Sequence, residues 1–250
     1  MFVHPYAYAV RAQALELVDA GENDCEIARR LRLPRTTVRD WRHRKGLVVR
    51  GMTCPRCWRD SHRPIVFSAR DYSELLALYL GDGYIVRTGR SDRLRIYFDT
   101  RYTEIISDAR ALLRRCFPLH SVGTTRSAKG TTTILSLYST HLACVFPQHG
   151  PGRKHERAIV LEDWQSEILE REPWPFLRGC IRSDGCVFTN RTGRYAYLSY
   201  EFSNRSAQIR ELFMDACDLV GVEYRPYKRY VRIYRRLSVA LMQQHVGLKA

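Results

Sequence analysis

No apolar run in this 250-residue sequence exceeds six residues, Leu75 to Leu80. About 18 are needed to cross a bilayer as a helix, so a membrane-spanning helix is excluded. The N-terminus, Met1-Phe2-Val3-His4-Pro5, lacks a basic flank leading into an apolar stretch, so a secretory signal is not expected. Acid is scarce beside base: 26 Asp+Glu against 41 Lys+Arg, a formal charge of +15. Lysine is scarcer still, at positions 45, 129, 154, 228 and 249, and arginine supplies the rest. The eight cysteines show no disulfide spacing, and only Cys54-Pro55-Arg56-Cys57 has metal-ligand spacing, with no second C-x-x-C to complete it.

What is present is an ordinary core composition, 45% hydrophobic and 11% aromatic, which excludes wholesale disorder. A large positive excess on such a chain calls for a polyanionic partner, and double-stranded DNA is the expected one. The location expected is cytoplasmic and nucleoid-associated.

Residues 1–46 predict a small three-helix DNA-binding domain. Val10, Ala14, Leu17 and Val18 recur at helical spacing, and Gly21 ends that helix. Asn23 with Glu26 makes a capping box for a second helix burying Ile27, Ala28 and Leu31. After Leu33-Pro34, a third helix over 35–45 turns Val38 and Trp41 inward. Between Arg29 and Arg50 there are nine Lys+Arg and one acid, Asp40. Arg35, Thr36, Thr37, Arg39 and Arg42, with His43, are therefore candidates for phosphates and base edges in the major groove. Helix, tight turn, basic helix is the helix-turn-helix layout. The segment from Ile27 to Trp41 resembles the helix-turn-helix of resolvase-like and homeodomain-like bacterial proteins.

Residues 47–70 read as a linker. Cys54 and Cys57 supply half of a zinc site, with His62 as a candidate third ligand and His43 or another Cys as a fourth; an unmetallated knuckle is the alternative.

The rest of the chain is duplicated. Leu75-Leu76-Ala77-Leu78-Tyr79-Leu80-Gly81-Asp82-Gly83 recurs 102 residues later as Leu177-Arg178-Gly179-Cys180-Ile181-Arg182-Ser183-Asp184-Gly185. Phe98-Asp99-Thr100-Arg101 recurs as Phe202-Ser203-Asn204-Arg205, and Tyr138 and Gln148-His149 as Tyr234 and Gln244-His245. Three landmarks in one order define two copies of one unit, over 71–155 and 175–250, joined by a connecting helix read over 156–171 within 156–174. Each unit reads as helix, two strands, helix, two strands, helix. Arg93, Arg95 and Tyr97 alternate with Leu94, Ile96 and Phe98, so one sheet face is basic and the other buried.

Small residues at i and i+4, Ala77 with Gly81 and Gly179 with Ser183, let two helix backbones approach closely. If the motif helices pair about a pseudo-dyad, Asp82 and Asp184 meet at one end. Adjacent carboxylates repel unless a cation sits between them, and a hard divalent cation with oxygen ligands fits. Such a pair, flanked by basic sheets, points to metal-assisted phosphodiester hydrolysis. The plainer alternative is two helix-terminal acids of a structural duplication.

The two copies resemble the LAGLIDADG motif of homing endonucleases, over residues 71–250. The resemblance implies an α+β fold: a duplicated αββαββα domain, here preceded by the three-helix domain. It implies a monomeric internal pseudo-dimer cutting both strands of a long, asymmetric DNA site. Asp82 and Asp184 would hold Mg²⁺ (or Mn²⁺). Leu80 and Arg182 replace the motif's earlier acid, and Ala77 replaces a Gly. The family also carries basic residues about the metal pocket, and Lys154 is the candidate here, with Lys228 a weaker one. Solvent-facing strand residues expected to read DNA are Arg87, Arg93, Arg95, Tyr97 and Arg126 in the first copy, and Tyr195, Tyr197, Arg229 and Arg232 in the second. The same scaffold also serves non-cutting transcription regulators and intron RNA maturases, which remain the alternatives.

Overall fold

The computed structural model describes residues 8–43, 67–89, 91–193 and 195–249. Cys54, Cys57 and His62 lie outside these residues, so the zinc expectation does too. The chain divides into two compact units, residues 1–65 and 66–250.

The smaller unit holds α1 (Tyr8–Asp19), α2 (Asp24–Leu31) and α3 (Arg35–His43). Asn23 Oδ1 accepts from the backbone N–H of Cys25 and Glu26, both at 3.0 Å, and Glu26 returns a bond to the Asn23 N–H at 3.2 Å. Two of the orphan donors at the start of α2 are satisfied this way. Arg32 ends α2 in the left-handed conformation, φ 53°, and Leu33-Pro34 leads into α3. Ala14, Val18, Ile27, Ala28, Leu33, Val38 and Trp41 form the buried core.

The larger unit is the duplicated αββαββα arrangement. Its first copy runs α4 (Ala69–Asp82), β1 (Gly83–Thr88), β2 (Ser91–Asp99), α5 (Thr103–Cys116), β3 (Gly123–Arg126), β4 (Thr132–Ser139) and α6 (Leu142–Val145). The second runs α8 (Pro173–Arg182), β5 (Gly185–Thr192), β6 (Tyr195–Ser203), α9 (Ala207–Leu219), β7 (Arg225–Pro226), β8 (Tyr230–Ile233) and α10 (Arg236–His245). Each copy makes one antiparallel four-stranded sheet, ordered β1-β2-β4-β3 and β5-β6-β8-β7. The identical strand order is the structural form of the repeat.

Between the copies the expected helix over 156–171 is shorter. Lys154–Glu156 is a single 3₁₀ turn, and α7 spans Asp163–Arg171, begun by a capping box between Glu162 and Gln165. Gln165 explains the late start. It is fully buried, bonded to Gln148 at 2.6 Å and to the Tyr72 hydroxyl at 2.6 Å, which anchors the first turn of α7 to the first copy. Pro173 opens α8 at its first turn, where its missing N–H costs nothing, so the second copy begins before residue 175.

Ser68 caps α4 by accepting the Asp71 N–H at 3.0 Å. The helix is then buried almost all round, from Tyr72 through Leu80, because it packs on its own sheet and on α8. No helix among the described residues is long and apolar enough to cross a membrane.

Candidate metal centre and nucleic-acid faces

α4 and α8 cross at contact distance. A Cβ placed on Gly179 would lie 2.6 Å from the Ala77 Cβ and 2.6 Å from the Glu74 carbonyl oxygen. A Cβ on Gly81 would fall on the Ser183 side chain and 3.4 Å from Asp184 Oδ2. The small residues at i and i+4 are thus the crossing itself. Ser183 fits because its hydroxyl turns back to the Gly179 carbonyl at 2.8 Å. Gly83 and Gly185 release each chain from helix to strand so abruptly that a Cβ would sit 2.5 Å from the Cα of Tyr79 or Ile181.

The crossing brings Asp82 and Asp184 together. Burial, then the Asp184 charge, pushes the Asp82 carboxyl up to about 6, against the pull of Lys249 and Lys154. Burial also raises Asp184, opposed by a hydrogen bond from Asn204 and by the same two lysines. Lys154 Nζ donates to the carbonyls of Tyr79 (2.7 Å), Gly81 (2.5 Å) and Gly83 (2.9 Å), capping α4 with a cation where the helix dipole favours one. Lys249 does the same for α8, donating to Ser183 (2.5 Å) and Gly185 (2.8 Å). Desolvation lowers both ammonium groups, Lys154 to about 8. Two carboxylates and two ammonium groups therefore share one seam.

Lys249 is the residue sequence reasoning missed. The offset between Gln148 and Gln244 puts the counterpart of Lys154 at 250, one residue from Lys249, and that near-match was the available signal. Asn204 was visible only as a repeat landmark; its Nδ2 donates to Asp184 Oδ2 at 2.6 Å. Lys228 is exposed on the turn between β7 and β8 and does not join the cluster. An open cleft of about 630 Å³ reaches the seam, lined among others by Tyr84, His149, Lys154, Asp184, Asn204 and Arg205.

The donor set suits a hard divalent cation. The carboxylate pair is desolvated and self-repelling, which is the condition a cation relieves. Among the described residues no third His, Cys, Asp or Glu joins the pair to make a closed cage. Mg²⁺ takes one or two carboxylates and fills its remaining positions with water and substrate phosphate, so a buried carboxylate pair with Asp184 lining an open cleft fits it.

Arg178 and Arg182 find partners other than the two aspartates. Arg182 bonds Glu74 at 2.9 Å and Asp108 at 2.8 Å, and Arg178 donates to the His245 carbonyl at 2.7 Å. Among the described residues no arginine pairs with Asp82 or Asp184, and burial still raises the Glu74 carboxyl despite both guanidinium groups. Gln148 belongs to the buried Gln165 network, and the His245 ring stacks on Trp174 at 4.2 Å, so neither joins the site.

The sheets place the other candidates. Arg93, Arg95 and Tyr97 share the solvent-facing parity of β2, opposite Tyr138, Ser136 and Ile134. Arg93 bonds Ser136 Oγ at 2.9 Å and covers the Tyr138 ring. Arg87 and Arg126 do not join them: Arg87 pairs with Asp92 and Arg126 with Thr133, on the parity of the buried Ile85 and Leu135. Both are exposed only because they sit at strand ends or on the edge strand. In the second sheet Tyr197 shares the parity of Glu201, as does the Tyr195 position, and Arg232 faces solvent opposite Glu201, bonding it at 2.6 Å amid Phe188, Tyr227 and Tyr230. Arg229 is exposed just before β8.

In the smaller unit Arg35, Thr36 and Arg39 are exposed on α3, and Thr37 is half-buried. Arg42 turns back instead. Its Nε bonds Asp24 Oδ1 and its Nη2 bonds the Glu22 carbonyl, each at 2.6 Å, clamping α3 to the start of α2.

A homeodomain-like domain model matches residues 6–48. No curated protein matches the sequence. The chain is similar in structure to the N-terminal LAGLIDADG domain of DUF199/WhiA, at 14% identity and TM-score 0.49 over 74% of this chain and 86% of that one. Full-length DUF199/WhiA from Thermatoga maritima aligns at 15% identity and TM-score 0.49, over 73% of this chain and 57% of that one. The I-SmaMI LAGLIDADG homing endonuclease bound to cleaved DNA aligns at 8% identity and TM-score 0.44, over 71% and 83%.

Proposed function

We propose that the chain is a sequence-specific endonuclease of double-stranded DNA that hydrolyses phosphodiesters with Mg²⁺ or Mn²⁺. The observation that supports this reading is the pair Asp82 and Asp184, carried to one buried seam by two helices that touch through glycine. Divalent cations held by this pair would supply Lewis-acid stabilisation of the phosphoryl charge. The chain's own part is to hold those two carboxylates desolvated and to place two ammonium groups beside them. Lys154 and Lys249, held beside the two acids on the terminal carbonyls of their helices, would give electrostatic help to the attacking water or the leaving oxygen. The solvent-facing Arg93 and Arg95, and α3 with Arg35 and Arg39, would grip DNA. Tandem modules on one chain raise effective concentration at a long site. Because both acids come from one chain, a monomer suffices.

Cleavage of a plasmid pool carrying randomised inserts tests the reading. Wild type is expected to linearise a subset in Mg²⁺ or Mn²⁺ and none in EDTA, while Asp82→Asn and Asp184→Asn abolish linearisation. Equal nicking by all three proteins rejects it.

One observation favours a second reading, a DNA-binding regulator that does not cut. Lys154 and Lys249 balance the two acids with no cation at all. On that reading DNA binding is tight and indifferent to EDTA, and no strand is broken in either metal.

A further inference from the structure

The two halves of the seam are not equivalent. Asp184 Oδ2 receives the Asn204 amide at 2.6 Å, whereas among the described residues no side chain donates to Asp82. The counterpart of Asn204 in the first copy is Thr100, and its hydroxyl pairs with Thr133 at 3.1 Å. Asn204 is itself fixed on three sides. Its Oδ1 accepts the Ser206 N–H at 2.9 Å, its N–H donates to the Arg229 carbonyl at 3.2 Å, and its carbonyl receives Arg210 Nη1 at 2.5 Å. The amide is therefore an aimed donor, held before any ligand arrives. It occupies one carboxylate oxygen of Asp184, beside the cleft that Asp184 and Asn204 both line.

We infer that Asn204 is a positioning residue that makes the two half-sites unequal: it orients Asp184 to take a divalent cation before Asp82 does, and so sets the order in which the two DNA strands are cut. The inference rests on the endonuclease reading. Outer partners that orient a metal-binding carboxylate or imidazole typically contribute 10- to 100-fold in cation affinity, and among the described residues Asp82 has no such partner.

Asn204→Ser is the informative substitution. Its hydroxyl still accepts the Ser206 N–H as a serine turn does, but it is too short to reach Asp184. Mn²⁺ binding to the full chain, followed by calorimetry without DNA, is expected to show two steps in wild type. Asp184→Asn should remove the tighter step, Asn204→Ser should weaken it about 10-fold or more, and Thr100→Ala should change neither. With strand-labelled DNA, wild type should cut one strand ahead of the other, and Asn204→Ser should bring the two rates together. An unchanged tighter step in Asn204→Ser overturns the inference, as does loss of that step in Asp82→Asn but not in Asp184→Asn. Asn204→Ala guards against a folding effect, since it also gives up the Ser206 bond. A tighter step that falls in the alanine variant and not in the serine variant belongs to the loop, and the inference is overturned. Mn²⁺ binding untouched by both Asp82→Asn and Asp184→Asn refutes the cation reading itself, which two equal steps in wild type would leave standing.

Discussion

Replacing Asp82 by asparagine should make the protein more stable, provided no divalent cation is present. The carboxyl is held near 6 instead of 3.8, by burial first and by Asp184 second. At about 1.4 kcal/mol per pKa unit, ionising it at pH 7 costs the fold about 3 kcal/mol, with the opposing pull of Lys154 and Lys249 already included. A folded pKa above the unfolded one means that the native state binds the extra proton between about pH 4 and 6. Stability therefore falls as pH rises through that window and stays low above it. Asparagine keeps the shape and removes the charge, so Asp82→Asn should gain about 1–3 kcal/mol at pH 7.5 in EDTA and lose the slope between pH 4 and 6. For a unit of this size that is a rise of roughly 3–10 °C in melting temperature. Adding Mn²⁺ should then reverse the order, because a cation binding the native state stabilises wild type by mass action and the variant far less. Calorimetric melts at pH 4, 6 and 7.5, with EDTA and with Mn²⁺, give all of these numbers. A variant that melts below wild type at pH 7.5 in EDTA would refute the reasoning. It would mean that the lysines hold Asp82 favourably and that no repulsion awaits a cation.

Three further outcomes follow from the packing. Gly179→Ala drives a Cβ to 2.6 Å from Ala77 and the Glu74 carbonyl, so thermal melts should show a loss of about 1–3 kcal/mol from overpacking, together with weaker Mn²⁺ binding as the helices part. Arg182→Met leaves Glu74 buried with only the longer 3.8 Å contact to Arg178; denaturant titration should report about 3–5 kcal/mol lost, and Glu74→Gln in the same chain should restore part of it. In the smaller unit, Arg39→Ala should weaken DNA binding and flatten its salt dependence by about one phosphate contact without altering helicity, whereas Arg42→Ala should lower the melting temperature of that unit because it breaks the clamp to Asp24 and Glu22.

The sequence was most legible where one pattern had a single physical solution. A helix carrying small residues at i and i+4 in both copies had to cross a second such helix, and the crossing carried Asp82 and Asp184 with it. Alternation in β2 was equally plain, since an antiparallel strand with one buried face must read Arg93-Leu94-Arg95-Ile96. Arg87 and Arg126 defeated the same reasoning. Each sits beyond the alternating run, so its side was fixed by the partner strand, by Asp92 and Thr133 respectively. Charge gave Arg42 to the DNA-reading set, but a guanidinium three residues from exposed Arg39 also reaches Asp24 and the Glu22 carbonyl at the start of α2, and it is taken up there. The late start of α7 depended on a buried glutamine pairing across 17 positions, which no local signal announces.

Lys249 shows why a repeat is better evidence than a motif. Read alone, a lysine near the end of the chain is a solvated charge. Read against the first copy, it stands where Lys154 stands, at the end of the helix that carries the other aspartate, and it binds the same class of acceptor. The duplication thus preserves a charge balance as well as a fold: each helix that delivers a buried carboxylate to the seam also receives an ammonium group on its terminal carbonyls. That balance lets the seam form without a cation. A chain needing only the scaffold would be relieved of the desolvation cost by replacing either aspartate, and this one pays it twice.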